Sequence, residues 1–408
     1  MLWQPSLHDR YTHADSEALA ADIAARRAEL GDRLVILGHH YQTDAVIRHA
    51  DLIGDSLKLS QLAAKVTDEQ PVEHIIFCGV HFMAETADML TPEHVSVSLP
   101  DLSAGCSMAD MAQIDDCIEA WDAIHSALNS NGFDGRVIPI TYVNSSAAIK
   151  AFVGARGGAC CTSSNADRVF AWAAAGGDTP KRPGEAIKIL FLPDQHLGRN
   201  TAHGFGINVT SGAVLYDPVL ARRGDELGGT TAERLRDADV ILWAGHCSVH
   251  KLFRPEHIDE LRSQTPEPGR KPWTVLVHPE CAKEVVDKAD LAGSTEFILD
   301  TIRSAEPGTR WAVGTEHNLV NRLRQEAAAR GVEVRILSDC QCLCTTMYRI
   351  DEPHLLWTLD MLCGISPSGK RREPQTPNRI RVDDETRRDA LLALDRMLAH
   401  TAAAVHAD

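Results

Sequence analysis

The feature that most limits how this chain can fold is a recurring alternation. Short apolar runs close on polar side chains and are followed by helical stretches. Leu34–Leu37 runs into Gly38-His39-His40-Tyr41, His74–Cys78 into Val80-His81, and Val95–Leu99 toward Ser103-Ala104-Gly105-Cys106. The pattern returns in Arg136–Thr141 before Tyr142-Val143-Asn144 and in Ala159–Cys161 before Thr162-Ser163-Ser164-Asn165. It continues in Ile187–Leu192 before Pro193-Asp194-Gln195-His196 and in Val240–Trp243 before Gly245-His246-Cys247. A third round has Trp273–Val277 before His278-Pro279-Glu280-Cys281, Phe297–Leu299 after Gly293-Ser294-Thr295, and Trp311–Val313 before Gly314-Thr315-Glu316. Its last run is Val332–Leu337, which leads to three alternating cysteines, Cys340, Cys342 and Cys344. Runs of strand length separated by helical patterns predict βαβ units and parallel sheets. The chain reads as an α/β protein of three similar blocks, 1–112, 113–250 and 251–345. A helical segment at 346–408 is expected to pack back on the first block.

Charge and cysteine usage narrow the function. With 41 Lys+Arg against 57 Asp+Glu the formal charge is −16, which disfavours nucleic acid or an anionic membrane as the main partner. A small acidic substrate in a local pocket remains compatible with that balance. No apolar stretch approaches the roughly 20 residues of a membrane span. The first 30 residues show no basic stretch followed by an apolar one, so a cytoplasmic location and reduced thiols are expected for the eleven cysteines.

Ligands of open α/β sheets bind outside the carboxyl ends of the strands. Here those ends carry His39, Tyr41, Tyr142, Asn144, Ser163, His250, His278, Glu280 and Glu316. Taken singly, each is an ordinary cap or turn residue. Taken together they offer hydroxyl, amide and imidazole donors suited to carboxylates or phosphate. Gly54-Asp55-Ser56-Leu57 and Gly293-Ser294-Thr295-Glu296 add hydroxyls at expected helix starts, where the dipole favours anions.

Among the cysteines, Cys78, Cys117 and Cys363 read as buried hydrophobes, as do Cys160 and Cys161 within a strand. Cys106, Cys247, Cys281 and one of Cys340, Cys342 and Cys344 fall at strand exits. The run Cys340-Gln341-Cys342-Leu343-Cys344 offers only alternating cysteines, with no second pair elsewhere to complete a structural zinc site, and a C-x-x-C redox motif is absent. One thiolate from each block, Cys106, Cys247 and Cys344, would hold three irons of a [4Fe–4S] cube and leave the fourth open as a Lewis acid. Zinc, or no metal, stands beside that reading.

The ordered series of motifs resembles quinolinate synthase, a bacterial family of NAD biosynthesis, from about Leu34 to Leu362. The motifs are Gly38-His39-His40-Tyr41-Gln42, Gly54-Asp55-Ser56-Leu57, Tyr142-Val143-Asn144-Ser145, Cys161–Asn165, Cys247-Ser248-Val249-His250, His278-Pro279-Glu280-Cys281, Gly293-Ser294-Thr295 and Cys344–Asp351. The resemblance implies three αβα domains around a pseudo-threefold axis with the active site at their junction. It implies one [4Fe–4S] cluster on Cys106, Cys247 and Cys344, which sets Cys281 aside. It further implies condensation of iminoaspartate with dihydroxyacetone phosphate to quinolinate, phosphate and two waters. By motif, His39, Ser56, Tyr142, Asn144, Ser163, His278 and Thr295 would bind substrate. Tyr41 and Glu280 would be the acid/base pair, and His250 would assist proton transfer. An aspartate-oxidising enzyme would supply the imine. The alternating cysteines leave Cys340 and Cys342 as competitors of Cys344. A cluster-dependent hydro-lyase acting on another hydroxy acid, and a metal sensor without enzymatic activity, are the alternative functions.

Overall fold

A computed structural model of the chain describes residues 4–264, 268–339 and 342–402. They form two compact units. The first comprises the residues up to 106 with 316–322 and 343–383; the second comprises 107–315, 323–342 and 384–402, less the undescribed positions.

The first unit holds one sheet. Leu34–His39 lies between Leu52–Gly54 and His74–Cys78; Ser96–Ser98 follows, and the short antiparallel strand Arg379–Ile380 closes that edge. The second unit holds two sheets. In one, Gly135–Tyr142 lies between Ala159–Cys161 and Ala186–Leu192, followed by Val240–Trp243 and Ala213–Tyr216. In the other, Trp273–Val277 lies between Leu291–Ala292 and Arg310–Gly314, followed by Glu333–Ile336. Helices flank all three sheets, and every pairing except that of Arg379–Ile380 is parallel.

One order therefore recurs: the second strand of each set pairs on one side of the first strand, the third pairs on the other, and the fourth lies beyond the third. The extra strand Ala213–Tyr216 in the middle sheet is added outside this scheme. The strands buried on both faces are rich in Ile, Val and Leu, as parallel sheets covered on both sides require. The α/β class with parallel sheets expected from the alternation is the class found.

Two expectations need correction. The run Phe297–Leu299 is not a strand but part of the helix Thr295–Arg303. Ser294 caps that helix by accepting the Phe297 N–H, and Ile298, Leu299 and Ile302 turn to its buried face. A short apolar run cannot be assigned to strand or helix by its own period, and here the cap decides.

The segment 346–408, expected to pack back on the first block, is divided between the two units. Residues 343–383 belong to the first unit, but the helix Asp384–Ala402 belongs to the second and packs on the helix Ala147–Ala155. Arg396 fixes the contact by donating to the carbonyls of Gly154 and Gly158 at 3.1 and 2.8 Å, and Asn165 Nδ2 donates to Thr401 Oγ1 at 2.8 Å.

The two helices approach so closely at Gly154 that a methyl group there would overlap the Asp389 carbonyl oxygen. Gly154→Ala is expected to destabilise the chain by roughly 1–3 kcal/mol, the usual cost of overpacking. Urea unfolding measures it; an unchanged midpoint would show that the final helix does not depend on this contact.

Candidate active site

The repeated strand order gives repeated positions at the carboxyl ends. At the carboxyl end of the first strand of each sheet, on its last residue or just beyond it, begins a pair spaced i, i+2: His39 and Tyr41, Tyr142 and Asn144, His278 and Glu280. After the second strand comes a hydroxyl: Ser56, Ser163 or Thr295. After the fourth strand comes a cysteine: Cys106, Cys247 or Cys344. All the site residues expected from sequence except His250 fall in these three classes.

In the second unit, Glu280 is the centre of a buried cluster. His250 donates from Nδ1 to Glu280 Oε2 at 2.9 Å, and Thr315 Oγ1 lies 3.1 Å from His250 Nε2. The rings of His250 and His278 stack at 4.5 Å, and Tyr142 hydrogen-bonds to the Glu280 carboxylate. His250, His278 and Glu280 are all buried. Burial works against the charge of Glu280, but the imidazoles of His250 and His278 and the hydrogen bonds from His250 and Tyr142 outweigh it. They hold the carboxyl below the usual range. The carboxylate therefore stays ionised inside the protein, because its neighbours satisfy it.

His278 and His39 share one local device. The backbone N–H of Glu280 donates to His278 Nδ1 at 3.3 Å, and that of Tyr41 donates to His39 Nδ1 at 3.1 Å. A ring whose Nδ1 accepts a hydrogen bond carries its proton on Nε2. Burial first, then neighbouring positive groups, lowers the pKa of each to about 3. Both are therefore neutral imidazoles with an Nε2–H donor.

The loop of His39 is pinned within the first unit. Arg322 donates to the carbonyls of His40 and Gln42 at 3.1 and 2.9 Å, and Asn318 Nδ2 donates to the Tyr41 carbonyl at 3.1 Å. The half-buried Tyr41 ring packs edge-on against His39 at 4.8 Å.

Ser56 opens the helix Ser56–Glu69, capped by Asp55, and Thr295 opens the helix Thr295–Arg303. Ser163 is half-buried in the turn before the helix Ala166–Ala174. Asn144 has a buried Oδ1 with no hydrogen-bond partner among the described residues. Its loop is held from below: Ser145 Oγ donates to the Tyr142 carbonyl at 2.9 Å, and the buried Lys150 ammonium donates to the Ser145 carbonyl.

Among the ten described cysteines, Cys106, Cys247 and Cys344 are partly exposed and the other seven are buried. The Cys247 sulfur, a His250 ring nitrogen and a Glu280 oxygen all lie within 4.8 Å of one another. Such a thiol, imidazole and carboxylate could hold a single ion, but His250 and Glu280 bond to each other instead of facing a common point.

In the first unit, Arg349 donates to Ser103 Oγ at 3.0 Å, tying the stretch after Cys344 to the loop that leads to Cys106. Burial raises the Cys344 thiol, while the Thr346 hydroxyl, 3.5 Å from its sulfur, and the N–H groups of Met347 and Thr346 favour the thiolate. Cys342 is fully buried, with Ser338 Oγ at 3.0 Å from its sulfur. Cys340 lies outside the described residues. Cys281 is fully buried too, its sulfur 3.8 Å from the Gly314 carbonyl.

A family profile described as Quinolinate synthetase A protein matches residues 21–399. The chain belongs to the quinolinate synthase family. It is 48% identical over 399 residues to a quinolinate synthase of Rhodopirellula baltica, covering 95% of this chain and 92% of that protein. Identity is 51% over 389 residues with one from a Nocardioides species, at 95% and 90% coverage. With one from Geobacillus thermodenitrificans it is 47% over 396 residues, at 97% and 96% coverage. The chain is thus an enzyme of the quinolinate synthase type.

Two further residues stand behind the Glu280 cluster and were not singled out by sequence. Both lie on or beside the helix Gln195–Gly204. Asp194, fully buried, caps that helix by accepting the N–H of His196 and of Leu197 at 2.7 and 2.8 Å. Burial first, then the charge of Glu280, pushes the Asp194 carboxyl up, so the two acids are driven apart in pKa. Gln195 N–H bonds to the Gly245 carbonyl at 3.0 Å, two residues before Cys247. Asn200 Nδ2 donates to the carbonyls of Pro279 and Cys281 at 2.8 and 3.0 Å, one on each side of Glu280. The Pro193-Asp194 strand exit was the available signal, but a capping aspartate is common and the pattern alone does not mark it.

The neutral state of His39 has a pH consequence. Its folded pKa is about 3 against an ordinary 6.5. Above pH 6.5 the stabilisation is fully present; below it the unfolded chain binds a proton that the folded chain refuses. Stability is then lost toward pH 3 by up to about 1.4 kcal/mol per pH unit. Urea unfolding at pH 7 and pH 5 is expected to show a shallower pH slope for His39→Asn than for the wild type. Equal slopes would mean that His39 takes up its proton in the folded state.

Proposed function

We propose that the enzyme condenses iminoaspartate with dihydroxyacetone phosphate to quinolinate, releasing phosphate and two waters. The observation that carries the reading is the threefold recurrence of a polar pair, a hydroxyl and a partly exposed cysteine at the carboxyl ends of the strands. Beside it stands an ionised, buried glutamate close to one of those cysteines.

The donor set fits a [4Fe–4S] cluster held by Cys106, Cys247 and Cys344. All three cysteines are partly exposed, each follows a fourth strand, and donors to sulfur are present at Cys344. When bound, such a cluster supplies one iron without a protein ligand, a Lewis acid for loss of hydroxide.

The chain's own residues bind, orient and move protons. His39 and His278, neutral and donating from Nε2, bind carboxylate or phosphate oxygens without bringing a positive charge that would compete with the acid/base groups. Ser56 and Thr295, at helix N-termini, add hydroxyl and backbone donors for an anionic group, and Ser163 adds another hydroxyl. Tyr142 and Asn144 present hydroxyl and amide groups, with the unpartnered Asn144 Oδ1 ready to accept from a substrate N–H or O–H.

Joining an imine to a triose phosphate as an aromatic ring needs protons removed next to a carbonyl or imine and protons delivered to departing oxygens. Glu280, held ionised, takes a proton; Tyr41 delivers one; His250, bonded to Glu280 at Nδ1, holds the carboxylate in place and relays.

Two experiments test this. Quinolinate formation from the two substrates by anaerobically purified enzyme is expected, and Tyr41→Phe is expected to lower turnover by about 10²-fold while retaining iron. A normal rate in that variant would remove Tyr41 from the chemistry. Replacing Cys106, Cys247 or Cys344 singly with Ser is expected to abolish bound iron and sulfide and the visible absorption. Retention of a full complement in any of the three would overturn that ligand assignment.

A further inference from the structure

A cavity of about 680 Å³ lies in the second unit against the helix Gln195–Gly204. Its cationic side is built from Arg199, Arg234 and Lys283, and Val209 and Leu215 supply an apolar wall. Lys283 is paired with Asp287 at 2.6 Å. Neither Arg199 nor Arg234 has a carboxylate partner among the described residues, although Glu284 also lines the cavity. In a chain of net charge −16, two guanidinium groups left without partners in one concave place are out of keeping with the rest of the surface.

Two further observations point the same way. Thr230 lines the cavity, and its Oγ1 is buried with no hydrogen-bond partner among the described residues. A buried hydroxyl without a partner costs free energy that a bound acceptor would recover. His196, also in the lining, has its pKa lowered to about 4 by burial and then by His246 and Arg199, so it adds a neutral imidazole able to hydrogen-bond a ligand there.

We infer that this cavity binds a phosphorylated ligand of mononucleotide size. Its phosphate would lie at Arg199, Arg234 and Thr230, and its ring would rest on Val209 and Leu215. Guanidinium groups suit phosphate through paired N–H donors, and the volume falls within the range of sites for ligands of that size. The cavity is lined by Gln195, His196 and Arg199, the same helix whose Asn200 holds the carbonyls flanking Glu280.

The test is titration calorimetry of the whole enzyme with AMP and with inorganic phosphate. AMP is expected to bind once per chain and more tightly than phosphate. Arg199→Gln combined with Arg234→Gln is expected to weaken it by about tenfold or more, the scale of losing charge-assisted contacts. Should that double variant fail to fold, Thr230→Val, which keeps the side-chain shape, is expected to weaken AMP by about threefold or more. His278→Gln, which alters the proposed catalytic cluster, is expected to leave AMP binding intact. No binding of AMP at millimolar concentration, or undiminished binding in the arginine or threonine variants, would overturn the site. Loss of binding in His278→Gln would assign the ligand to the catalytic cluster instead, and equal affinity for phosphate and AMP would overturn the mononucleotide size.

Discussion

Parallel pairing is the constraint from which the site follows. In a parallel sheet every strand runs the same way, so all carboxyl ends and their exit loops fall on one edge of that sheet. The same order, second strand, first, third and fourth, is built three times. Because the order is the same, the exits are equivalent, and chemistry-bearing residues of one kind recur at each. A chain of this length thus presents three polar pairs, three hydroxyls and three partly exposed cysteines without three separate inventions of a site.

Within each unit, hydrogen bonds at the strand exits decide protonation. Glu280 is fully buried yet ionised, since His250 and Tyr142 bond to it. His39 and His278 are buried and neutral, since a backbone N–H occupies one ring nitrogen and burial refuses a second proton. Asp194 lies behind the cluster with its carboxyl pushed up by burial and by Glu280. Protonation states are separated by surroundings rather than by residue type. The helix Gln195–Gly204 fixes these surroundings from outside through Gln195 and Asn200.

Much of this is legible in the amino-acid string. Val240–Trp243 and Trp273–Val277 are strands with the bounds read from their apolar runs, and Ser56 and Thr295 open helices as their Gly-hydroxyl motifs predict. Phe297–Leu299 misleads because three apolar residues fit either period, and the Ser294 cap is needed to choose. The final helix has a different partner from the one expected because an amphipathic face does not name what covers it. The close approach at Gly154 and the reach of Arg396 do. Asp194 and Asn200 escape notice because their partners, Glu280 and its flanking carbonyls, lie about 80 residues away in the chain.

The sequence by itself determined the α/β class, the polar and cysteine-bearing strand exits, and, through an ordered series of motifs, the family. These depend on local periodicity and residue identity, which a linear string contains. Tertiary structure decided which cysteines are partly exposed, Cys344 among them while Cys342 is buried, because exposure depends on what distant segments cover. It also decided the charge states of His39, His278 and Glu280 and the cavity beside Arg199. Burial and hydrogen bonding are properties of assembled neighbours, and no spacing along the chain encodes them.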